Sequence, residues 1–468
     1  MELPGYNIIP EPRLSFDAFT PNAFHIHPLQ GLVDFGPYSH QIIPMGEGIR
    51  VAAIYPKGTR QVLQSFFSEF NQSHEPKERR KYLPSFSGFN NIFRTNLEFS
   101  NADVCIELDG KGIIESETTY IKLSQELSHA IRSMSQRKQE FDVLAIYLPE
   151  AWSAGFEDKE TDFDLHDFIK GITAMQNIPT QILREGSAIN YKCRCSVMWR
   201  LSIAFYVKGG GIPWKLSSID QETAFVGLSY SARLNTSTNQ FDFTTCCSQV
   251  FDADGTGMEF IAYDAAEIES RIGDNPFLTR SEMRRVLSKS LQLYQKRHAG
   301  RLPKRLIVHK TSHFKPQEID GAFDAIPGSV DLELLQIVQN VPWKATQHVK
   351  YGGKWSTPGW PVSRGSYCQI GTQETLLWTQ GQVKLSSGNS FYKEGKGIPS
   401  PILIRRFAGD GGWDKNCQAI LGLTKMNWNH DGIYDRLPVT LGYASVLART
   451  IKKMNELTNK PYEFRFFM

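Results

Sequence analysis

Thr161 to Leu216 reads TDFDLHDFIKGITAMQNIPTQILREGS, a three-residue insert (Ala188 to Asn190), then YKCRCSVMWRLSIAFYVKGGGIPWKL. Leu165, Phe168, Ile169 and Ile172 recur at helical spacing, which puts His166 and Lys170 one turn apart on the same flank of an amphipathic helix. Pro179 ends that run, and IPTQILRE reads as a short strand carrying Gln181 into a turn at Glu185, Gly186 and Ser187. A second helical pattern, roughly Ala188 to Val207, delivers Lys208 directly before Gly209, Gly210 and Gly211. A terminal phosphate carries nearly two negative charges at neutral pH. Two cations, an imidazole kept protonated by the anion and one amide donor would suit it. Each residue alone has a plainer reading: a solvated helix face for His166 and Lys170, and an ordinary helix C-terminus for Lys208 before glycine.

Around this stretch, helix and strand patterns alternate. A helix is expected around Tyr120 to Ser135 and an apolar strand, DVLAIYLPE, over Asp142 to Glu150, before the His166 helix, the Gln181 strand and the Lys208 helix. Such alternation argues for a Rossmann-like parallel sheet with ligands gathered at its strand ends. No GxGxxG follows a strand here, which disfavours a dinucleotide site. The first hundred or so residues show short extended pieces such as PRLSFD and GIRVAAIYPKG, with the charged run PKERRKY (Pro76 to Tyr82) expected in an exposed loop.

Beyond Leu216 the pattern changes. TAFVGLSYSARL reads as a strand, and Asp254-Gly255 between two strand-like runs signals a hairpin. Asp252 and Asp254 lack the further ligands of a calcium loop. Thr279 and Glu282 stand in capping-box register ahead of a helix with a Met283, Val286, Leu287, Leu291, Tyr294 stripe, and the strand RLIVHK (Arg305 to Lys310) follows. LPVTLGYASVLARTIKKM reads as a long final helix.

At 468 residues, 41% hydrophobic and 22% charged, the chain has room for two or three ordinary domains. No window approaches a membrane span and MELPGYNIIPEPRL lacks a signal-peptide layout, so a cytoplasmic, non-membrane protein is expected. The seven cysteines show no zinc spacing and read as reduced thiols. Net charge is only +3, but Arg280, Arg284, Arg285, Lys289, Lys296, Arg297, Arg301, Lys304, Arg305 and Lys310 crowd one stretch against the single acid Glu282. That is either a nucleic-acid face or a basic solvated helix.

The order His-x3-Lys, Gln eleven residues after that Lys, then Lys in VKGGGIPWKL resembles the 5′-phosphate pocket of the MID domain in Argonaute proteins. LTKMNWN (Leu423 to Asn429) is similar to a PIWI signature, while EPRLSF and GLVDFGPY resemble the opening of short prokaryotic Argonautes. The resemblance implies an α/β chain with a Rossmann-like MID domain followed by an RNase H-like PIWI domain: an N-terminal segment and MID over 1–216, PIWI over 217–468. It implies that His166, Lys170, Gln181 and Lys208 hold the 5′ end of a guide. Where slicing relatives carry metal-binding residues, this chain has Ser229, Thr311 and Ser445, so the resemblance implies binding of guide and target without cutting, no catalytic residue and no enzyme activity of its own.

It further implies a structural Mg²⁺ at the guide 5′ end, held by Gln181 and the Met468 carboxylate, against the plainer reading of a core-packed tail without an ion. The implied partners are a guide RNA, single-stranded target DNA from a plasmid or phage, and an APAZ-containing effector. That effector is most often TIR or sirtuin-like and acts in antiviral defence by NAD depletion and abortive infection. The rival reading is a metal-dependent RNase H-type nuclease acting alone through acids such as Asp252, Asp254 or Asp274; a third is a scaffold that keeps only the fold.

Overall fold

The computed structural model describes residues 5–43, 45–114, 118–217, 222–235, 240–250, 259–264, 268–272, 275–356, 361–385, 390–392, 397–452 and 462–468; for 232–235, 240–250, 259–264, 272, 349, 351 and 452 the description is of backbone. The aliphatic runs of the first half form a five-stranded parallel sheet in the order Thr180–Arg184, Val143–Leu148, Ile49–Pro56, Leu97–Phe99, with Ile106–Leu108 pairing further along Ile49–Pro56. Val143–Leu148 is buried at every position because both faces of the sheet are covered. Ala52, Ile54, Leu144 and Ile146 meet helix Thr119–Gln136 together with Leu165 and Ile169. The alternate residues Val51, Ala53, Val143 and Ala145 turn the other way, towards Trp199 and Phe205 of helix Arg194–Lys208.

That last helix starts six residues later than its pattern suggests. Glu185–Ile189 makes a single π-helical turn, and Arg194 Nη1 takes the Ala188 and Ile189 carbonyls at 2.7 and 3.0 Å. Those carbonyls therefore cannot seed a continuous α-helical ladder from Ala188.

The second half builds a ten-stranded mixed sheet. Thr223–Asn235, Arg305–Lys310 and Asp331–Val338 run parallel at its centre, flanked by antiparallel strands. One face carries Ala224, Val226, Leu228, Leu306 and Val308 against helix Arg280–Arg297, whose Thr279 side chain caps the Glu282 amide and whose buried stripe includes the five residues expected. The opposite face receives helix Val439–Lys452 so closely that a Cβ on Gly227 would lie 2.1 Å from the Thr440 carbonyl oxygen.

The edges of this sheet come from far away in sequence: Tyr6–Ile8 at one, Tyr462–Glu463 at the other. A strand of the first 216 residues is thus a member of the later sheet. One hydrophobic core joins the halves, holding Val51 and Phe205 together with Phe225, Ile307, Leu447 and Phe466. Polar staples cross as well. Glu11 accepts from Arg364 at 2.5 Å and from Lys425, inside LTKMNWN, at 2.7 Å.

The PKERRKY run departs from its expected exposure. Arg79 reaches Asp431 at 3.2 and 2.9 Å and Tyr82 is buried, because the run has a carboxylate in the second half to neutralise it. The Asp254-Gly255 turn, Asp252 and Asp274 lie outside the described residues, although Gln240–Val250 and Glu259–Asp264 on either side of that turn pair antiparallel. Among the described residues no helix is long and apolar enough to cross a membrane.

Candidate nucleic-acid interface

Asp164 caps helix Leu165–Met175 by accepting from the Asp167 amide at 2.9 Å, which fixes the helix over the carboxyl side of the parallel sheet. On it, His166 and Lys170 do not share the solvated flank that i, i+4 spacing ordinarily gives. The His166 side chain is 45% exposed with Nδ1 3.3 Å from Asp167, whereas Lys170 is 2% exposed. Lys170 Nζ donates to the Thr180 carbonyl at 2.6 Å, at the start of the Gln181 strand, and to the main-chain oxygen of Met468.

Lys208 ends its helix as expected, but its side chain turns inward instead of staying at the solvated terminus. It is 1% exposed and donates to Gln181 Oε1. Gln181 Nε2 in turn donates to the Ile182 carbonyl at 3.0 Å. His166, Lys170, Gln181 and Met468 line one cavity of about 210 Å³; Lys208 stands behind its wall and meets it through Gln181.

The electrostatics of this cavity are unusual. Among the described residues no side-chain carboxylate pairs with Lys170 or Lys208. Burial pulls the Lys170 ammonium down to about 7; burial and the charge of Lys170 pull Lys208 well below its ordinary value. A buried ammonium short of counter-charge costs several kcal/mol; beyond the Met468 oxygen at Lys170, an anion entering the cavity would offset part of that cost, at Lys170 directly and at Lys208 through the Gln181 wall.

Sequence reasoning missed four further polar lining residues: Arg184, Ser187, Arg200 and Asn429. Arg184 lies over the Phe156 ring at 5.2 Å, and Arg200 donates to the Ser187 carbonyl at 3.0 Å. No spacing rule joins them, since they come from a strand end, a π-turn, a helix and the LTKMNWN loop. The aromatic and cationic phrases ILRE and MWRL were the available signal.

An ion held by Gln181 and Met468 fits these residues poorly. Gln181 Oε1 faces Lys208 and the Met468 oxygen faces Lys170, so both candidate ligands already serve ammonium groups. The tail approach is apolar, with Phe466 and Phe467 buried and Phe464 partly so. The single group of metal-type spacing among the described residues is Asp164, His166 and Asp167, where Asp164 is engaged as a helix cap and Asp167 faces the imidazole.

Of the three hydroxyl residues that the resemblance sets against metal ligands, Ser229 is half-buried one step past the Leu228 and Lys310 pair, Thr311 is exposed just beyond its strand, and Ser445 is exposed on helix Val439–Lys452. Beside them Lys310 is fully buried, donating to Glu318 at 2.5 Å with the Tyr230, Phe277 and Phe314 rings about it. His309, turned towards the other face, meets Thr440 Oγ1 at 2.9 Å, and burial pulls its imidazole down to about 3.

The basic stretch mostly serves structure. Arg280, Arg285, Lys304, Arg305 and Lys310 are ion-paired, leaving Arg284, Lys296 and Arg301 among those that stand exposed.

A parallel sheet with an anion-type cavity at its strand ends, sharing a core with a mixed sheet crossed by a long final helix, is the α/β architecture of the Argonaute MID and PIWI domains. Among solved structures the chain is similar to Clostridium butyricum Argonaute bound to a guide DNA and a 19-mer target DNA, with a TM-score of 0.69 and 17% identity over 99% of this chain and 55% of that one. It is similar to Aquifex aeolicus Argonaute at TM-score 0.61 and 16% identity, over 99% and 55%, and to Drosophila Piwi at 0.63 and 11%, over 99% and 56%. In sequence it is 21% identical over 373 residues to the argonaute of Aquifex aeolicus (strain VF5), covering 79% of this chain and 46% of that protein. The chain thus spans about half the length of the relatives it matches. No protein-family model matches it.

Proposed function

We propose that this chain is a guide-dependent nucleic-acid sensor of the short Argonaute type, seating the 5′-phosphate of a guide RNA in the cavity that His166, Lys170 and Gln181 line, with Lys208 behind Gln181. Base pairing to single-stranded target DNA then supplies sequence recognition while the protein holds backbone. The observation that carries the reading is the pair of buried lysines that no side-chain carboxylate among the described residues meets, Lys170 reaching the Thr180 carbonyl and the Met468 oxygen and Lys208 the Gln181 amide. A phosphate dianion would complete that charge set, with the half-exposed His166 side chain among the residues that line the cavity.

In this reading the chain binds without cutting. Ser229, Thr311 and Ser445 offer neutral hydroxyls where two divalent ions would need carboxylates, so signalling passes to an APAZ-containing effector of TIR or sirtuin-like type, with NAD depletion as the defence output. A Mg²⁺ at the guide end would have to draw most of its ligands from guide phosphates, with Gln181 and Met468 released from their lysines. The similarity in fold to a guide-bound and target-bound Argonaute supports the binding half of this proposal.

The test is a comparison of guides differing only in a 5′-phosphate, on wild type and a His166→Ala, Lys170→Ala double variant. The wild type should prefer the phosphorylated guide and the double variant should lose that preference. Equal preference in both proteins removes the pocket from the account.

A further inference from the structure

Between Glu333 and Glu374 the sequence contains no acidic residue, and this stretch carries Trp343, Lys344, Lys350, Lys354 and Trp355. Val349–Tyr351 and Lys354–Ser356 form a separate two-stranded hairpin joined by Gly352 and Gly353, both at positive φ (54° and 82°), the two-residue turn that glycine permits without strain. Its register sets Lys350 directly opposite Trp355, so ring and ammonium share one face. Trp355 is 68% exposed, Trp343 is 48% exposed, and all three lysines are exposed.

The limb leading to the hairpin is anchored. Val341 and Ala345 pack on Val362, Leu376, Trp378 and Leu403, and Lys344 Nζ donates to the Ile398 carbonyl at 3.0 Å. Among the described residues no ion pair engages Lys350 or Lys354. The limb that carries Trp343 is therefore held, and with the hairpin it spends large aromatic area on solvent beside lysines that no ion pair among the described residues engages.

We propose that this platform is a second nucleic-acid site, binding a single strand by stacking bases on Trp343 and Trp355 while Lys350 and Lys354 meet phosphates. A protein partner would favour an apolar patch depleted of charge at its centre, whereas here each indole has a lysine beside it. The seven Cα–Cα steps from Trp343 to Lys350 span at most about 25 Å when extended, a reach suited to a few consecutive nucleotides. The site needs no 5′-phosphate and lies outside the His166 cavity, so it extends the proposed function without depending on that pocket.

The experiment titrates the full chain with a fluorescent 5′-hydroxyl oligothymidylate. Trp343→Ala with Trp355→Ala should weaken binding about tenfold or more, and Trp355→Phe, which keeps a stacking face, should retain most of it. Lys350→Gln with Lys354→Gln should flatten the slope of log affinity against log salt by about 1.4. The tryptophan variant should keep any preference for phosphorylated over unphosphorylated guides, which separates failure of this site from failure of the His166 cavity. Oligonucleotide binding by the folded tryptophan variant indistinguishable from wild type overturns the site, including the case where a protein partner occupies this surface.

Discussion

Lys170 and Lys208 illustrate what single residues disclose and conceal. Their positions were legible because helical spacing and the terminal glycines place them, but spacing assigns both to solvent. Their burial follows from contacts that no local pattern encodes: Thr180 and the Met468 oxygen for one, Gln181 for the other. Lys425 is similar. Its phrase stood out in the sequence, yet its role emerges only with Glu11, more than four hundred positions away. Burial works against the Glu11 charge, Arg364 and Lys425 outweigh it, and the carboxyl is held below its ordinary value. The ionised pairing therefore contributes stability above the usual carboxylate range and loses it as pH falls through the lowered pKa. Glu11→Gln should cost about 3 kcal/mol at neutral pH by leaving two buried cations short of a partner. In urea unfolding the gap from wild type should narrow in acid; a gap independent of pH would contradict the assignment.

At the scale of elements, strongly patterned segments were readable nearly to the residue. RLIVHK is a strand with the bounds expected, and the Thr279 cap with its apolar stripe marks helix Arg280–Arg297. Elements set by tertiary partners were not. Tyr6–Ile8 and Tyr462–Glu463 are too short to show a period, and the π-turn at Glu185–Ile189 owes its form to Arg194. VGLSYS shows a further limit: the strand pattern says nothing of its glycine, while the structure gives Gly227 a packing duty against helix Val439–Lys452. Gly227→Ala must push that helix off the sheet and should lower stability by about 1–3 kcal/mol, seen as a lower urea midpoint. An unchanged midpoint would mean that helix and sheet are not in such close contact.

Across the whole molecule, the parallel sheet and the mixed sheet followed from the change of pattern near residue 216, while their shared core and exchanged edge strands did not, because long-range pairing leaves no local trace. The joint matters for function, since the cavity takes lining from both halves: the His166 helix and Gln181 strand from one, Asn429 and Met468 from the other. If the chain binds guide and target as proposed, Ser229, Thr311 and Ser445 should leave a matched target intact with Mg²⁺ or Mn²⁺. A defined cut opposite the guide centre, visible on a denaturing gel, would contradict that.

The most direct test of the central claim is a pair of calorimetric titrations at one fixed salt concentration, with guides of identical sequence ending in 5′-phosphate or 5′-hydroxyl. If the phosphate takes up the donors of this cavity, two charge-assisted hydrogen bonds of roughly 1.5 kcal/mol each would make the phosphorylated guide bind about a hundredfold tighter. Equal affinities would show that the buried lysines serve the fold alone.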